Sequence, residues 1–255
     1  MIPGVYGYYI RSSSQILLPA LNLAKIVAGI RLTFMSASAT GTKTRVAGLA
    51  LKRHGLVDYE IALASQRKIH DEVVAGIRPN TLILLEHPSV YTAGRRTQTH
   101  ERPTDGTSVI DVDRGGKITW HGVGQIVGYP IIKLRNRNEV VGFVREIEDA
   151  LIATCNEFNI DAQKYCERSG VWARDAKGDR KLAAIGIRVA KGVTMHGFAL
   201  NVNSDLSAYD RILPCGYSDS GVTSISNEVG NNVTCEMVLP ILEKYMYEAL
   251  AKVAE

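Results

Sequence analysis

The sequence predicts a mixed α+β fold, a single mixed-sheet domain with helices packed on the sheet. Three observations predict it. Short apolar runs suited to strands recur along the chain. Two long stretches carry apolar residues at helical spacing. Strands and helices do not alternate strictly, as a doubly wound fold would require. The 255 residues are 45% hydrophobic and 22% charged, enough to bury a sizeable core without disulfides. No repeat and no internal linker is visible.

Taken in order, Ala47 to Arg53 alternates in part and reads as a first strand. Asp58 to Val74 reads as a helix, with Ile61, Ala62, Ile69 and Val73 at near-helical spacing. Thr81 to Leu85 is a short apolar run and reads as a strand, as do Val109 to Asp113 and Ile126 to Leu134. Glu139 to Phe158 is the clearest helix, because Val140, Val144, Ile147, Leu151 and Cys155 form one stripe. Gly170 to Ala173, Lys181 to Val189 and Thr194 to Val202 read as three further strands. Cys235 to Val253 reads as a closing helix that Pro240 should kink or force to start later.

Charge is unevenly spread. The net charge is +4, yet residues 1–57 hold seven basic residues and no acid. The rest is slightly acidic, so nothing in the globular part calls for nucleic acid. The N-terminal stretch is Ser-rich and acid-poor, as transit peptides are. Its apolar run from Ile16 to Ile30 is broken by Pro19, Asn22 and Lys25, too short and interrupted to span a membrane. We expect residues 1–46 to be an extension, disordered or upstream of a later start such as Met35, and residues 47–255 to form the catalytic domain. Organellar import through the extension is the lesser alternative. Cys155, Cys166, Cys215 and Cys235 show no paired spacing, which reads as reduced thiols in a cytoplasmic protein.

Four segments carry chemistry. Arg114-Gly115-Gly116-Lys117-Ile118-Thr119-Trp120-His121 continues through Gly122 and Gly124 to Gln125. Its glycines let backbone N–H groups approach a ligand, and Arg114 and His121 can orient a carbonyl or phosphate. A glycine-rich hairpin around a buried Trp120 explains it equally well. It fits neither a P-loop nor a dinucleotide fingerprint. Lys181 opens the small, apolar run Leu182-Ala183-Ala184-Ile185-Gly186. It is either a strand-end charge or an amine in a desolvated cleft. Cys215 stands between Pro214 and Gly216, in a turn where a thiol is exposed rather than packed. A free thiol of pKa about 8.5 is roughly 3% thiolate at pH 7, and a neighbouring ammonium raises that fraction. Cys215 and Lys181 are thus a reasonable nucleophile and activator if the fold joins them. Gly197, Phe198 and Ala199 lie on a predicted strand and suit either the floor of an acyl tunnel or a plain sheet interior. No Cys/His cluster has metal-ligand spacing, so no metal is expected. No G-x-S-x-G elbow supports a serine hydrolase.

Together these segments resemble the lipoyl(octanoyl) transferase family. The matching pieces are Leu85 to Gly94, Arg114 to Tyr129, Gly170 to Trp172, Lys181 to Ile187, Thr194 to Asn201, and Pro214 to Gly216 with Gly221 to Ser224. They stand in the family's order across roughly residues 47 to 250. The resemblance implies the fold of the biotin/lipoate protein ligase catalytic domain. It implies that octanoyl-acyl carrier protein acylates Cys215, and that the octanoyl group then passes to the lysine of a lipoyl domain. The acceptors would be 2-oxoacid dehydrogenase complexes or the glycine-cleavage H protein. Lys181 would lower the pKa of Cys215. The segment Arg114 to His121, together with Ala184, Ile185, Gly186, Gly197, Phe198 and Ala199, would contact substrate. No cofactor, nucleic acid or membrane is implied, and a monomer is expected. Two departures stand out: Val123 where the family usually has Pro, and Tyr217 where it has an aliphatic residue. The rival readings are an ATP-dependent lipoate or biotin ligase, and a non-catalytic acyl-carrier-binding protein.

Overall fold

A computed structural model describes residues 48–212 and 220–255. The expected extension at 1–46 and the segment holding Cys215, Gly216 and Tyr217 lie outside the described residues. Eleven strands and four α-helices are present among those described. They are β1 (Leu49–Leu56), α1 (Tyr59–Val74), β2 (Asn80–Glu86), β3 (Val90–Ala93), β4 (Val109–Asp111), β5 (Ile118–His121) and β6 (Gln125–Ile131). Then come α2 (Val140–Asn156), β7 (Ala162–Gln163), β8 (Val171–Asp175), β9 (Gly178–Ala190), β10 (Val193–Asn201), β11 (Gly221–Val222), α3 (Ile225–Val229) and α4 (Cys235–Val253).

The large sheet runs β1-β2-β6-β10-β9-β8-β7, with β11 paired to β9. It is mixed: β1–β2 and β11–β9 are parallel, the other pairs antiparallel. Both faces are covered, which is why β2 is an unbroken apolar run. Leu82 and Leu84 point to one face with Phe143, Ile147, Leu242 and Met246 of α2 and α4. Ile83 and Leu85 point to the other with Ile69 and Val73 of α1. That alternation is the period-two pleat of a strand. Asp58 starts α1 by accepting from the N–H groups of Glu60 and Ile61 at 2.9 and 3.2 Å. None of the described helices is long and apolar enough to cross a membrane.

The closing helix α4 has the expected bounds, and of the two effects expected of Pro240 a later start is not seen: α4 begins at Cys235 behind Thr234. The ring is carried inside the helix, at the cost of the bond its N–H would have made. One reading is corrected: the glycine-rich stretch is not a hairpin. β5 pairs with β3 in a small β4-β3-β5 sheet, whereas β6 pairs with β2 and β10. The chain therefore crosses between sheets at Gly122-Val123-Gly124. Gly124 takes φ +82°, and its N–H donates to Glu86 Oε2 at 2.7 Å.

Candidate active site

Between the two sheets and the N-terminus of α1 lies a cavity of about 160 Å³. Its floor comes from β9 and β10. Ala184, Ile185, Gly186, Gly197, Phe198 and Ala199 all line it. The register sets Ala199 beside both Val127 and Ala184, a row of small side chains that leaves the space above it open. Phe198 also belongs to the core beneath α2 and α4. Its ring lies against Gly128, where a Cβ would come within 2.1 Å of the ring. The cavity floor and the sheet interior are thus the same residues.

One wall is the loop from Arg114 to Thr119. Arg114 is buried, and its guanidinium shapes that loop. It donates to Gly115 O (3.0 Å), Lys117 O (2.8 Å), Thr92 O (2.9 Å) and Thr92 Oγ1 (3.0 Å). Space for it is made by two distant glycines: a Cβ at Gly94 would stand 2.6 Å from Nη1, and one at Gly186 would stand 3.1 Å from Cδ. Gly116, Lys117, Ile118 and Thr119 line the cavity. Two residues expected in contact with substrate do not. Gly115 is bonded through its N–H to Ile187 O at 2.9 Å. Trp120 gives its indole N–H to Ser89 Oγ at 2.9 Å and packs edge-on to Tyr209. The alternation of β5 turns Trp120 away from the face that its neighbours Thr119 and His121 present.

His121 is buried in the cavity wall and neutral. Burial, then the charges of His87 and Arg114, push its pKa down to about 3 against a hydrogen bond donated to Gln125. Gln125 uses its amide N–H on Asn201 Oδ1 at 2.8 Å, so its carbonyl oxygen faces His121 Nδ1, also at 2.8 Å. This assigns the proton to Nδ1 and leaves Nε2 with its lone pair. The ring stacks on Tyr59, centroids 5.9 Å apart. A pH prediction follows. The unfolded state protonates His121 near the ordinary 6.5 and the folded state near 3, so stability is fully present above 6.5 and falls as pH drops through that window. The expected slope approaches 1.4 kcal/mol per pH unit, about one proton's worth. Denaturant titrations at pH 7, 6 and 5 check it against His121→Gln; equal slopes in the two proteins would refute it.

Lys181 lies inside β9 rather than at a strand end, buried between β8 and β11. Its backbone pairs with Trp172 and Val222, and its Nζ sits 4.3 Å from the Trp172 ring centroid. It lines the cavity. Val222 stands seven positions after Cys215 in the chain.

The family profile described as the lipoyl protein ligase A/B catalytic domain matches residues 58–247. The chain belongs to that family. A protein of Salinispora tropica curated as an octanoyltransferase is 55% identical over 205 residues, which is 80% of this chain and 96% of that protein. One from Acidothermus cellulolyticus, also curated as an octanoyltransferase, is 55% identical over 79% of this chain and 92% of its own. The fold matches a bi-partite lipoate protein ligase of Thermoplasma acidophilum with TM-score 0.62 at 16% identity, over 79% of this chain and 84% of that one. P. falciparum LipL1 in complex with lipoate gives 0.60 at 16%, over 80% and 63%.

In this family member, several cavity residues were not signalled by the sequence. Tyr59, Arg96, Tyr129, Glu167, Ser169 and His196 all line it. His196 takes φ +58°, uncommon for a non-glycine, and breaks the pairing of β10 with β6. Its N–H turns instead to Gln66 Oε1 of α1 at 3.0 Å, and its Nε2–H is held by Asp113 at 2.8 Å. Asp113 also pairs with Arg188. No spacing rule connects these residues. Val123, the family departure within the described residues, is exposed at the sheet crossing and does not line the cavity. Among the described residues no group of His, Cys, Asp or Glu can hold a metal ion.

Proposed function

We propose that this chain is an octanoyltransferase that works through an acyl-thioester on Cys215, with Lys181 as the proton carrier. The observation that carries the reading is Lys181: an ammonium-bearing chain buried in the wall of a small-floored cavity, in a sequence 55% identical to curated octanoyltransferases. Support for the pairing comes from β11, which runs beside Lys181 shortly after Cys215 in the chain.

Cys215 and Lys181 rest as thiolate and ammonium, the thiol's proton being held on the amine. The thiolate attacks the thioester carbon of octanoyl-acyl carrier protein. The bond to the carrier's sulfur breaks, and the leaving thiolate recovers the proton from Lys181. A lipoyl-domain lysine, entering as the free amine, then attacks the acyl-enzyme. The C–N bond forms, the C–S bond breaks, and the amine proton passes to Lys181, which restores the thiolate and ammonium. Thioester exchange is nearly balanced, and aminolysis runs downhill to the amide. The lipoyl domains of 2-oxoacid dehydrogenase complexes and the glycine-cleavage H protein are the acceptor class. The loop Gly116 to Thr119 and the floor residues Ala184 to Gly186 and Gly197 to Ala199 hold the acyl chain. The catalytic domain is assigned to residues 47–255 and the extension to 1–46, a division supported by the family match over 58–247.

Intact mass after incubation with octanoyl-acyl carrier protein tests this. Wild type should gain one hydroxylamine-labile octanoyl group and discharge it to a lipoyl domain without ATP. Cys215→Ser should gain no such labile group. A lipoyl domain modified only when ATP and free octanoate are supplied would replace the transferase with a ligase.

A further inference from the structure

Among the described residues the cavity wall carries four cations, Arg96, Arg114, Lys117 and Lys181, and one acid, Glu167. Three of these cations have partners in the fold. Arg114 donates to loop carbonyls, Lys117 pairs with the buried Glu101, and Lys181 lies over Trp172. Arg96 is different. It is exposed where the wall meets solvent, and among the described residues its guanidinium makes no ion pair or hydrogen bond. Its backbone is nevertheless fixed. Arg96 N–H donates to Gly116 O and Arg95 N–H to Arg114 O, each at 3.1 Å, while Thr97 N–H closes a turn on Gly94 O at 3.0 Å. A rigid segment therefore holds an uncommitted guanidinium at the entrance of the cavity, riding on the loop that lines it.

Resting on the octanoyl-transfer reading, we propose that Arg96 receives the phosphate of the acyl donor's phosphopantetheine arm. A carrier protein presents its thioester on that arm, and the arm's anionic phosphodiester must remain near the entrance when the thioester is inside. A planar guanidinium gives a phosphate two parallel N–H bonds, and among the described residues no acid is paired with Arg96. Arg96 is thus a specificity residue for the donor. It leaves the chemistry at the thioester untouched.

The experiment compares two small donors that differ only in the phosphate: octanoyl-4′-phosphopantetheine and octanoyl-pantetheine. Acyl-enzyme formation is followed by intact mass at low salt, giving kcat and KM for each. Wild type should favour the phosphorylated donor about three- to tenfold in KM, as suits one exposed charge pair, and added salt should erode the preference. Arg96→Ala should abolish the preference, Arg96→Glu should reverse it, and Arg96→Lys should restore part of it, all with kcat and melting temperature unchanged. Arg95→Ala is the control, since Arg95 is also exposed but does not line the cavity; it should keep the wild-type preference. Equal treatment of both donors by wild type would overturn the proposal. So would an Arg96→Ala loss of the same size on both, or one confined to discharge onto the lipoyl domain. If wild type takes acyl groups from neither these donors nor octanoyl-acyl carrier protein, the octanoyl-transfer reading itself fails, and Arg96's assignment falls with it.

Discussion

Replacing Lys181 with Met should lower acyl transfer about a thousandfold while leaving the fold intact. General acid–base groups contribute roughly 10²–10⁴ in rate, and Lys181 is asked to move a proton in both half-reactions. The substitution keeps the length and the apolar stem. Among the contacts it forfeits is that of Nζ with the Trp172 ring, worth about 0.5–2 kcal/mol. Rate and stability should therefore move independently. Single-turnover acylation by octanoyl-acyl carrier protein, beside a melting curve, reads both. A Lys181→Met enzyme within tenfold of wild type would show that the amine carries no proton in this reaction.

The elements that could be read from the sequence were those whose signal is local. Leu82 to Leu85 is apolar on both faces because α1 covers one and α2 with α4 the other. Ile147, Leu151 and Cys155 repeat at helical spacing because that side of α2 meets the core, which Phe143 joins from the turn before. The small sheet was not readable in the same way. Val90 to Ala93 is four residues long, and its partners are strands around Val109 and Trp120. Lys181 looked like a strand end because polar Asp179 and Arg180 precede it, yet β9 begins at Gly178. The site divides likewise. Its floor follows from runs of Ala and Gly on two strands. Its polar wall depends on long-range placement, as when Asp113 meets His196 and Arg188 from remote parts of the chain. Gly94 likewise sits in one motif and serves the arginine of another. Pairings of this kind have no period for a sequence to display.

That dependence makes Arg114→Lys the most informative conservative change. Its charge would remain, but one ammonium cannot span the acceptors that the guanidinium now reaches together. Thr92 offers its carbonyl and hydroxyl on one side, and Gly115 and Lys117 offer carbonyls on the other. At least one buried acceptor would lose its donor, at about 1–3 kcal/mol for each such group. The affected loop includes Gly116 to Thr119, which line the cavity, so the acyl chain would lose one wall of its site along with the stability. We expect a loss of about 3 kcal/mol by denaturant titration and a fall in transfer of about a hundredfold, because a loosened wall no longer holds the thioester at attacking distance. Gly94→Ala should reproduce both effects with Arg114 still present, since its Cβ would stand 2.6 Å from Nη1 and from Gly116 O. If both variants kept wild-type stability and rate, the loop would be held by its backbone alone, and the guanidinium would be free for a substrate. If only Arg114→Lys lost activity, with stability unchanged, Arg114 would be acting on the acyl carbonyl rather than on the loop. The present geometry, with four bonds directed inward to the protein, favours the loop.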